Sequence, residues 1–240
     1  MIVDRLRSRF GVEVALKPPR VPYLETIRSP AKGHGRHKKQ TGGRGQFGDC
    51  HIEIEPLAQG SGFEFVNQVK GGAIPSQFIP AVEKGVREAM AAGPVAGYPV
   101  RDVRVTLLDG AFHAVDSSEL AFKLAGGLAM RDALSQAHPL LLEPIMLVSV
   151  SIPDEHVGDV IGDLNSRRGR PQGMEPGDSA TEIKAEVPMA EMLSYAPDLR
   201  SITQGQGDYT LELLRYEAAP SQLAKQVLEH LDAQRTAAHA

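Results

Sequence analysis

Apolar residues are spaced as in a helix in some segments of the chain and as in a strand in others. These patterns predict the order of its helices and strands. Apolar residues at every fourth position of segment 1–10 predict a short helix that ends at Gly11, followed by a strand over Val12–Leu16. The three prolines of segment 17–22 predict a linker, because proline interrupts sheets and helices alike. We expect segment 1–16 to be the end of a domain whose beginning lies outside this sequence.

Segment 23–142 alternates between strand and helix patterns, as an α+β domain does. The Gly60–Gly62 turn separates two alternating strands and predicts a hairpin between them. The D-S-S-E sequence at Asp116–Glu119 predicts a helix cap, and its helix is expected to pack through Leu120, Leu124, Leu128 and Leu134. The predicted elements are strands 49–55 and 63–69, helix 80–90, strand 103–108, a turn at 109–111, a short return strand 112–115 and a helix from 119 to about 137.

Segment 143–218 predicts a β-α-β-β-α-β order, provided that Gly173–Met174 belongs to a short strand, and this order is typical of a ferredoxin-like domain. The second helix is expected to turn Met192 and Leu193 inward, and Pro197 is expected to bend or interrupt it. The other predicted elements are strand 145–152, helix 154–166, strand 181–187, helix 189–203 and strand 209–216, before a last amphipathic helix over 221–233.

Composition is that of a soluble globular protein, with 42% apolar and 23% charged residues among 240. The net charge of −4 means that any surface for nucleic acid must be local. No apolar run is long enough to span a membrane, we expect no signal peptide, and a cytoplasmic location follows. Cys50 is the only cysteine, which excludes an internal disulfide and a site of several thiolates.

A basic, glycine-rich segment, Lys32–Asp49, is the strongest local signal. Six basic side chains between Glu25 and Asp49 have no carboxylate among them, and six glycines accompany them. We expect a loop that cannot bury itself and that would order against a polyanion, since phosphate contacts release bound counterions. A solvated linker between domains is the alternative. The basic residues are Arg28, Lys32, Arg36, Lys38, Lys39 and Arg44.

Other candidate chemistry is weaker. No phosphate loop of the G-x-x-x-x-G-K-[ST] type occurs. Lysines and arginines near His34, His37 and His51 would repel a cation, so no metal site is expected. His113 and Ser117 could be a base and a nucleophile, but helix capping explains the serines better, and no catalytic residue is assigned.

A second basic turn contains Arg167, Arg168 and Arg170, and a polar, glycine-rich segment at Leu199–Gly207 contains Arg200. Each is either an ordinary exposed turn or a contact to RNA backbone, which the arginine fork suits.

Seven segments together resemble translation elongation factor G, in that family's order and with close to its spacing. They read H-K-K-Q-T-G-G-R-G-Q-F-G, K-G-G-A-I-P-S-Q-F-I-P-A-V-E-K-G, A-G-P-V-A-G-Y-P-V, F-H-A-V-D-S-S-E-L-A-F-K, E-P-I-M, G-D-V-I-G-D-L-N-S-R-R-G and L-R-S-I-T-Q-G. The resemblance implies four parts: residues 1–22 as the end of domain III, 23–142 as a domain IV like ribosomal protein S5 domain 2, 143–218 as a ferredoxin-like domain V, and 219–240 as a C-terminal helix and tail.

The resemblance also implies a function for these parts. Domain IV of the family reaches the small-subunit decoding region, so the expected partners are the ribosome, through 16S and 23S rRNA, and the tRNA–mRNA duplex. The implied contacts at the tip are Lys38, Lys39, Gln40, Thr41, Gly42, Gly43, Arg44, Gly45, Gln46, Phe112 and His113, and those of domain V are Arg167, Arg168, Arg170 and Arg200. GTP and magnesium belong to the family's G domain, so no cofactor is expected in this chain, which should be monomeric.

Two departures from the family pattern leave an alternative open. Phe112 stands where the family commonly has tyrosine, and Gln206 stands where it often has arginine. The alternative is a paralogue or fragment that binds the ribosome or RNA without driving translocation. Because Met1 falls within the implied domain III helix, we expect either an excised fragment or a truncated gene.

Overall fold

A computed structural model of the chain describes residues 7–13, 19–40, 43, 45–177 and 179–238. These divide into two compact units. One contains residues 147–211 together with the described residues before 23, and the other contains residues 23–146 and those from 212 onward. Residues 7–10 are helical and Gly11 has a φ of 63°, as predicted for a glycine stop. Residues 12–13 are not in a strand, and the rest of the predicted strand lies outside the described residues.

The larger unit is built on a four-stranded sheet in the order β2-β3-β5-β4. Helices α1 and α2 pack against each other, and α2 also lies against β2 and β3. Strand β1 pairs with the first residues of β6. The elements of this unit are β1 (Leu24–Ile27), β2 (Ala31–Lys39), β3 (Gln46–Pro56), β4 (Phe63–Asn67), α1 (Ile79–Met90), β5 (Val103–Ala111), α2 (Glu119–Gln136), the start of β6 (Pro139–Ile152) and, further along the chain, α6 (Ser221–Ala238).

Alternating strands supply the core of this unit. Ile52 and Ile54 of β3 and Val105 and Leu107 of β5 are fully buried, and they meet Phe122 of α2. The alternation predicted for β3 and the apolar face predicted for α1 are both confirmed, because one side of each element faces this core.

The predicted hairpin between segments 49–55 and 63–69 is wrong. Strand β4 pairs in parallel with β5, and α1 lies between them in the chain as the crossover of a βαβ unit. Both edges of β3 are already occupied by β2 and β5, so β4 takes the free edge of β5. The predicted turn at 109–111 is also wrong, since these residues extend β5 and pair with Asp49–His51, and 112–115 is not a return strand.

The buried face of α2 differs from the prediction. Leu120, Leu124 and Leu128 are 54%, 39% and 40% exposed, and of the predicted leucines only Leu134 is buried. Small residues make the buried face instead, because α2 approaches the glycines of β2 and β3 so closely that no larger side chain fits. The buried residues of this face include Ala121, Phe122, Ala125, Ala129, Met130 and Ala133.

The second unit has the predicted ferredoxin-like order. Strand β8 pairs antiparallel with β7 and also pairs with β6, and β9 pairs with β6. Gly173 and Met174 lie in β7, which confirms the short strand on which the prediction depended. The elements are the end of β6, α3 (Val157–Ser166), β7 (Arg170–Pro176), β8 (Thr181–Pro188), α4 (Met189–Met192), α5 (Tyr195–Ile202) and β9 (Asp208–Ala218), whose last residues belong to the larger unit.

The helix predicted over 189–203 is two helices. The break falls at Leu193 and Ser194, and Pro197 lies in the first turn of α5, where an amide proton is not needed for the helix. Met192 is buried as predicted, but Leu193 is exposed. Among the described residues, no helix is both long and apolar enough to cross a membrane.

Candidate nucleic-acid interface

The basic segment forms a β-hairpin rather than the loop that its composition predicts. Strand β2 pairs with β3 from Ala31↔Ile54 to Lys39↔Gln46. Gly33 and Gly35 are buried against α2, which explains why a segment rich in charge also contains glycine. The residues of β2 between and beside these glycines have side chains on the other face of the strand. The glycines therefore allow close packing against α2, and the basic side chains lie at the surface.

The predicted tip residues lie where this hairpin ends. Lys38, Lys39 and Gln40 are exposed, as is Gly43, and Gln46 is half-buried. The Nε2 atom of His37 lies 2.8 Å from Oε1 of Gln46. This contact joins the two strands at the end of the hairpin. Of the remaining predicted tip residues, Gly45 is half-buried, and Thr41, Gly42 and Arg44 lie outside the described residues.

The segment after β5 lies directly beside the end of this hairpin, with Phe112 and His113 exposed. The Ser117 hydroxyl donates to the carbonyl oxygen of Phe47 (2.9 Å) and accepts from the backbone amide of His113 (2.9 Å). The backbone amide of Phe47 donates to the carbonyl oxygen of Asp116, also at 2.9 Å. The two segments that were predicted to form a common tip are therefore hydrogen-bonded side by side.

Side chains complete this junction. The rings of Phe47 and His113 meet edge to face with centroids 6.5 Å apart, and the guanidinium of Arg36 lies 5.7 Å from the centroid of Phe47. Asp116 Oδ2 lies 3.3 Å from Nδ1 of His113. A Cβ atom added to Gly45 would come within 2.7 Å of Asp116, so this glycine is required by the close approach of the two segments.

The serines at this junction have structural roles. Ser118 is the N-cap of α2, and its Oγ accepts from the amide of Ala121 at 3.2 Å, which confirms the capping interpretation. The Ser117 hydroxyl proton is directed at a backbone carbonyl and not at His113. A nucleophile–base pair of these two residues therefore has no support in the geometry.

Arg167, whose contact with RNA stays a prediction, forms hydrogen bonds within the second unit. Its guanidinium donates to Asp163 (2.8 Å), Asp198 (2.6 Å) and the carbonyl oxygen of Glu191 (2.8 Å), and its side chain is only 13% exposed. It also lies 5.1 Å from the ring centroid of Tyr195. The hydrogen bond to Asp163 contributes most to raising the Arg167 pKa. These contacts favour a stabilising role for Arg167.

The other predicted arginines of the second unit lie at its surface. Arg168, Arg170 and Arg200 are exposed, and Nη1 of Arg168 lies 3.7 Å from Oε1 of Glu191. Their contact with RNA stays a prediction, as does that of the tip.

Phe47 and Asp116 were not among the predicted contacts, although both build the junction. Phe47 directly follows the predicted tip residue Gln46 in the same motif, and this position is the sequence feature that could have identified it. Asp116 was assigned to helix capping, and nothing in its spacing indicates that it lies against Gly45.

Comparison with known proteins agrees with this architecture. The model of the family "Elongation factor G, domain IV" matches residues 19–138, and that of "Elongation factor G C-terminus" matches residues 140–227. The two matched segments, with the folds described above, define a module of a translation elongation factor. The chain belongs to the elongation factor G family, which confirms the resemblance seen in the sequence.

Individual relatives show the same relationship. Elongation factor G of Aquifex pyrophilus is 55% identical over 228 residues, which cover 95% of this chain and 33% of that protein. A crystal structure of a protein from Thermus thermophilus superposes with a TM-score of 0.88 at 43% identity, covering 96% of this chain and 34% of that one. The chain thus spans about a third of the length of these relatives. The domain boundaries at 22, 142 and 218 stay predictions.

Proposed function

We propose that this chain is the ribosome-binding C-terminal module of a translational GTPase of the elongation factor G type. In this proposal its tip enters the small-subunit decoding region and promotes movement of tRNA and mRNA. The tip is here the end of the β2–β3 hairpin together with segment 112–117. GTP hydrolysis would belong to a G domain outside these residues. The module itself would act sterically and electrostatically.

One observation carries the proposal: the hairpin end and segment 112–117 are hydrogen-bonded to each other and form one tip. Two hydrogen bonds join Phe47 to Asp116 and Ser117, and a third joins Ser117 to His113. Exposed Lys38 and Lys39 lie at the end of the same hairpin. A tip with exposed basic side chains suits RNA, where recognition depends on shape and on backbone phosphate contacts.

The charge distribution supports a local interaction. The whole chain carries a net charge of −4, yet six basic side chains and no carboxylate lie between Glu25 and Asp49, a segment that includes β2 and the end of the hairpin. Each phosphate neutralised by a lysine or arginine releases counterions, so binding through the tip should weaken steeply as salt rises. The acidic remainder of the chain would disfavour other orientations on an RNA surface.

A second candidate is a paralogue that occupies the ribosome without moving tRNA. Phe112 keeps an aromatic ring at the tip but lacks the hydroxyl that the family commonly has there. Gln206 replaces a common arginine, and Arg167 is engaged within its own unit, which together reduce the cationic surface expected of domain V. Fusing the chain to a functional G domain separates the candidates, since only the first predicts restored tRNA movement.

Replacing Lys38, Lys39 and Arg44 together with alanine should weaken ribosome association by tenfold or more at low salt. The slope of log affinity against log salt should fall by about two to three, because each lost phosphate contact removes roughly 0.7–0.9. Sedimentation with purified ribosomes over a salt series measures both quantities.

The matched control removes three lysines of the same unit away from the tip, Lys70, Lys84 and Lys225, each of which is exposed. This variant has the same net charge as the tip variant, so it isolates position from total charge. We expect it to bind like the wild-type chain. Equal losses in both variants would contradict a specific role of the tip.

A further inference from the structure

Three side chains with metal-binding atoms converge on one face of the β2–β3 hairpin. His34 lies directly opposite His51 in the strand register, and Asp49 lies two residues before His51 on the same strand. Directly opposite residues and residues two apart share a face of an antiparallel pair. The ligand atoms of all three residues lie within 4.8 Å of one another.

Both imidazoles approach the same carboxylate oxygen. Nε2 of His34 lies 3.0 Å from Oδ1 of Asp49, and Nε2 of His51 lies 3.6 Å from the same atom. The two rings are stacked almost parallel, with centroids 4.1 Å apart and planes 2° from parallel. Two imidazole nitrogens and one carboxylate oxygen therefore lie close together, and they make up a donor set that zinc and related ions take from proteins.

The two nitrogen–oxygen separations match what such an ion needs. Zinc bonds to nitrogen and oxygen of about 2.0–2.1 Å, in tetrahedral geometry, place neighbouring ligand atoms roughly 3.3 Å apart. The observed 3.0 and 3.6 Å bracket that value. Since the ring planes are parallel, an ion would tilt the rings apart so that both nitrogen lone pairs point at it. The histidine side chains are 46% and 48% exposed, which leaves room for this movement.

The carboxylate is held in place by its surroundings. Asp49 is only 8% exposed, and its other oxygen, Oδ2, lies 3.6 Å from Nε of Arg36. Arg36 lies directly opposite Asp49 in the register. The arginine therefore orients the carboxylate so that Oδ1 is turned to the histidines, although its charge weakens cation binding there.

The sequence alone predicts no metal site, because lysines and arginines lie close to His34 and would repel a cation. Asp49 follows His34 by fifteen residues, and only the hairpin register brings it beside the two rings. In three dimensions a carboxylate does accompany His34 and His51.

We propose that His34, Asp49 and His51 bind one divalent transition-metal ion of the zinc class, with water in the remaining coordination position. The ion replaces the Nε2 protons, so each bound ring carries its proton on Nδ1. It links β2 to β3 and stabilises the hairpin whose far end is the tip. The proposal is independent of the proposed function, because it concerns the middle of the paired strands and not their end at Lys39 and Gln46.

Titration of the tag-free chain with Co²⁺, followed by its visible absorption, and with Zn²⁺, followed by calorimetry, tests this site. We expect one ion per chain, and we expect the His34→Gln/His51→Gln variant to lose at least about tenfold in affinity. His37→Gln is the matched control, because His37 lies on the same strand but on the face of Gly33 and Gly35. It should bind as the wild-type chain does.

An NMR experiment on the wild-type chain covers the case in which a variant fails to fold. Zn²⁺ should shift the ring-proton signals of His34 and His51 at one equivalent and leave that of His37 in place. No binding up to millimolar Zn²⁺ would overturn the proposal. So would equal affinity in the folded His34→Gln/His51→Gln variant, or ring shifts that spare these two histidines.

Discussion

Gly35→Ala is expected to lower the free energy of unfolding by about 3 kcal/mol or more. A Cβ atom at this position would lie 1.9 Å from the carbonyl oxygen of Ala125 and 2.5 Å from the backbone nitrogen of Ala129. Both neighbours are backbone atoms of α2, so no side chain can rotate away to make room. The helix would have to move off β2, and the tightly packed face between them would open.

Urea unfolding followed by circular dichroism measures this loss. Gly43→Ala is the matched control, since this glycine belongs to the same hairpin and has nothing within 4 Å of an added Cβ. We expect the control to change stability by less than about 1 kcal/mol. If the two variants unfolded at the same urea concentration, the close approach of α2 to β2 would be wrong.

Glu25→Ala is expected to cost about 3–5 kcal/mol. Glu25 is fully buried, and its carboxylate accepts three backbone hydrogen bonds, from Ala96 (2.7 Å), Val95 (2.9 Å) and Tyr98 (3.1 Å). These bonds fix the segment that follows α1 against β1. Removing the carboxylate leaves three buried or half-buried amides without their acceptor.

Two further variants give this prediction its scale. Glu25→Gln keeps an oxygen for two of the amides but turns a donor toward the third, so its loss should be smaller than that of Glu25→Ala. Glu53→Ala, on the half-exposed face of β3, should be close to neutral. Thermal unfolding should show the largest loss of stability for Glu25→Ala, a smaller one for Glu25→Gln and the smallest for Glu53→Ala. A Glu25→Ala variant as stable as Glu53→Ala would refute the role of the buried carboxylate.

Features that depend on a few neighbouring residues could be predicted from the sequence. The alternation of segment 49–55 predicts β3, the spacing of Val82, Val86 and Met90 predicts α1, and the D-S-S-E motif predicts the start of α2. In each case one face is buried against a single core, so the local pattern and the fold agree.

Features that depend on residues distant in the chain could not be predicted from the sequence. The parallel pairing of β4 with β5 depends on which sheet edges remain free, which no window of sequence contains. The leucines of α2 form a helical stripe, yet the alanines are buried because Gly33 and Gly35 admit only small neighbours. Recognising this required knowing that β2 is a strand at all, and its charge and glycine content favoured a loop.

The candidate site also has some features that the local sequence predicts and others that only the fold reveals. Local charge identified the basic segment, and the order of motifs indicated that His113 belongs with it. The bonds of Ser117 to Phe47, the contact of Asp116 with Gly45 and the meeting of Asp49 with two histidines all arise from strand register. Register is set by turns and by the core together, so these contacts are visible only in the folded chain.

A chelated iron placed at the tip tests most directly whether the tip lies against RNA of the small ribosomal subunit. Gly43→Cys provides an exposed thiol at the tip. The native Cys50 does not compete for the label, because it is fully buried and that burial, with the nearby Asp49 charge, raises its pKa to about 12. The wild-type chain is therefore the unlabelled control.

Hydroxyl radicals from iron at Gly43→Cys, generated on ribosome-bound chain, should cut small-subunit rRNA in the decoding region. Gly173→Cys, an exposed position in β7 with open space around it, serves as the comparison in the other unit and should not produce those cuts. Intact small-subunit rRNA, with the chain labelled at Gly43→Cys still bound to the ribosome, would contradict a tip placed in the decoding region.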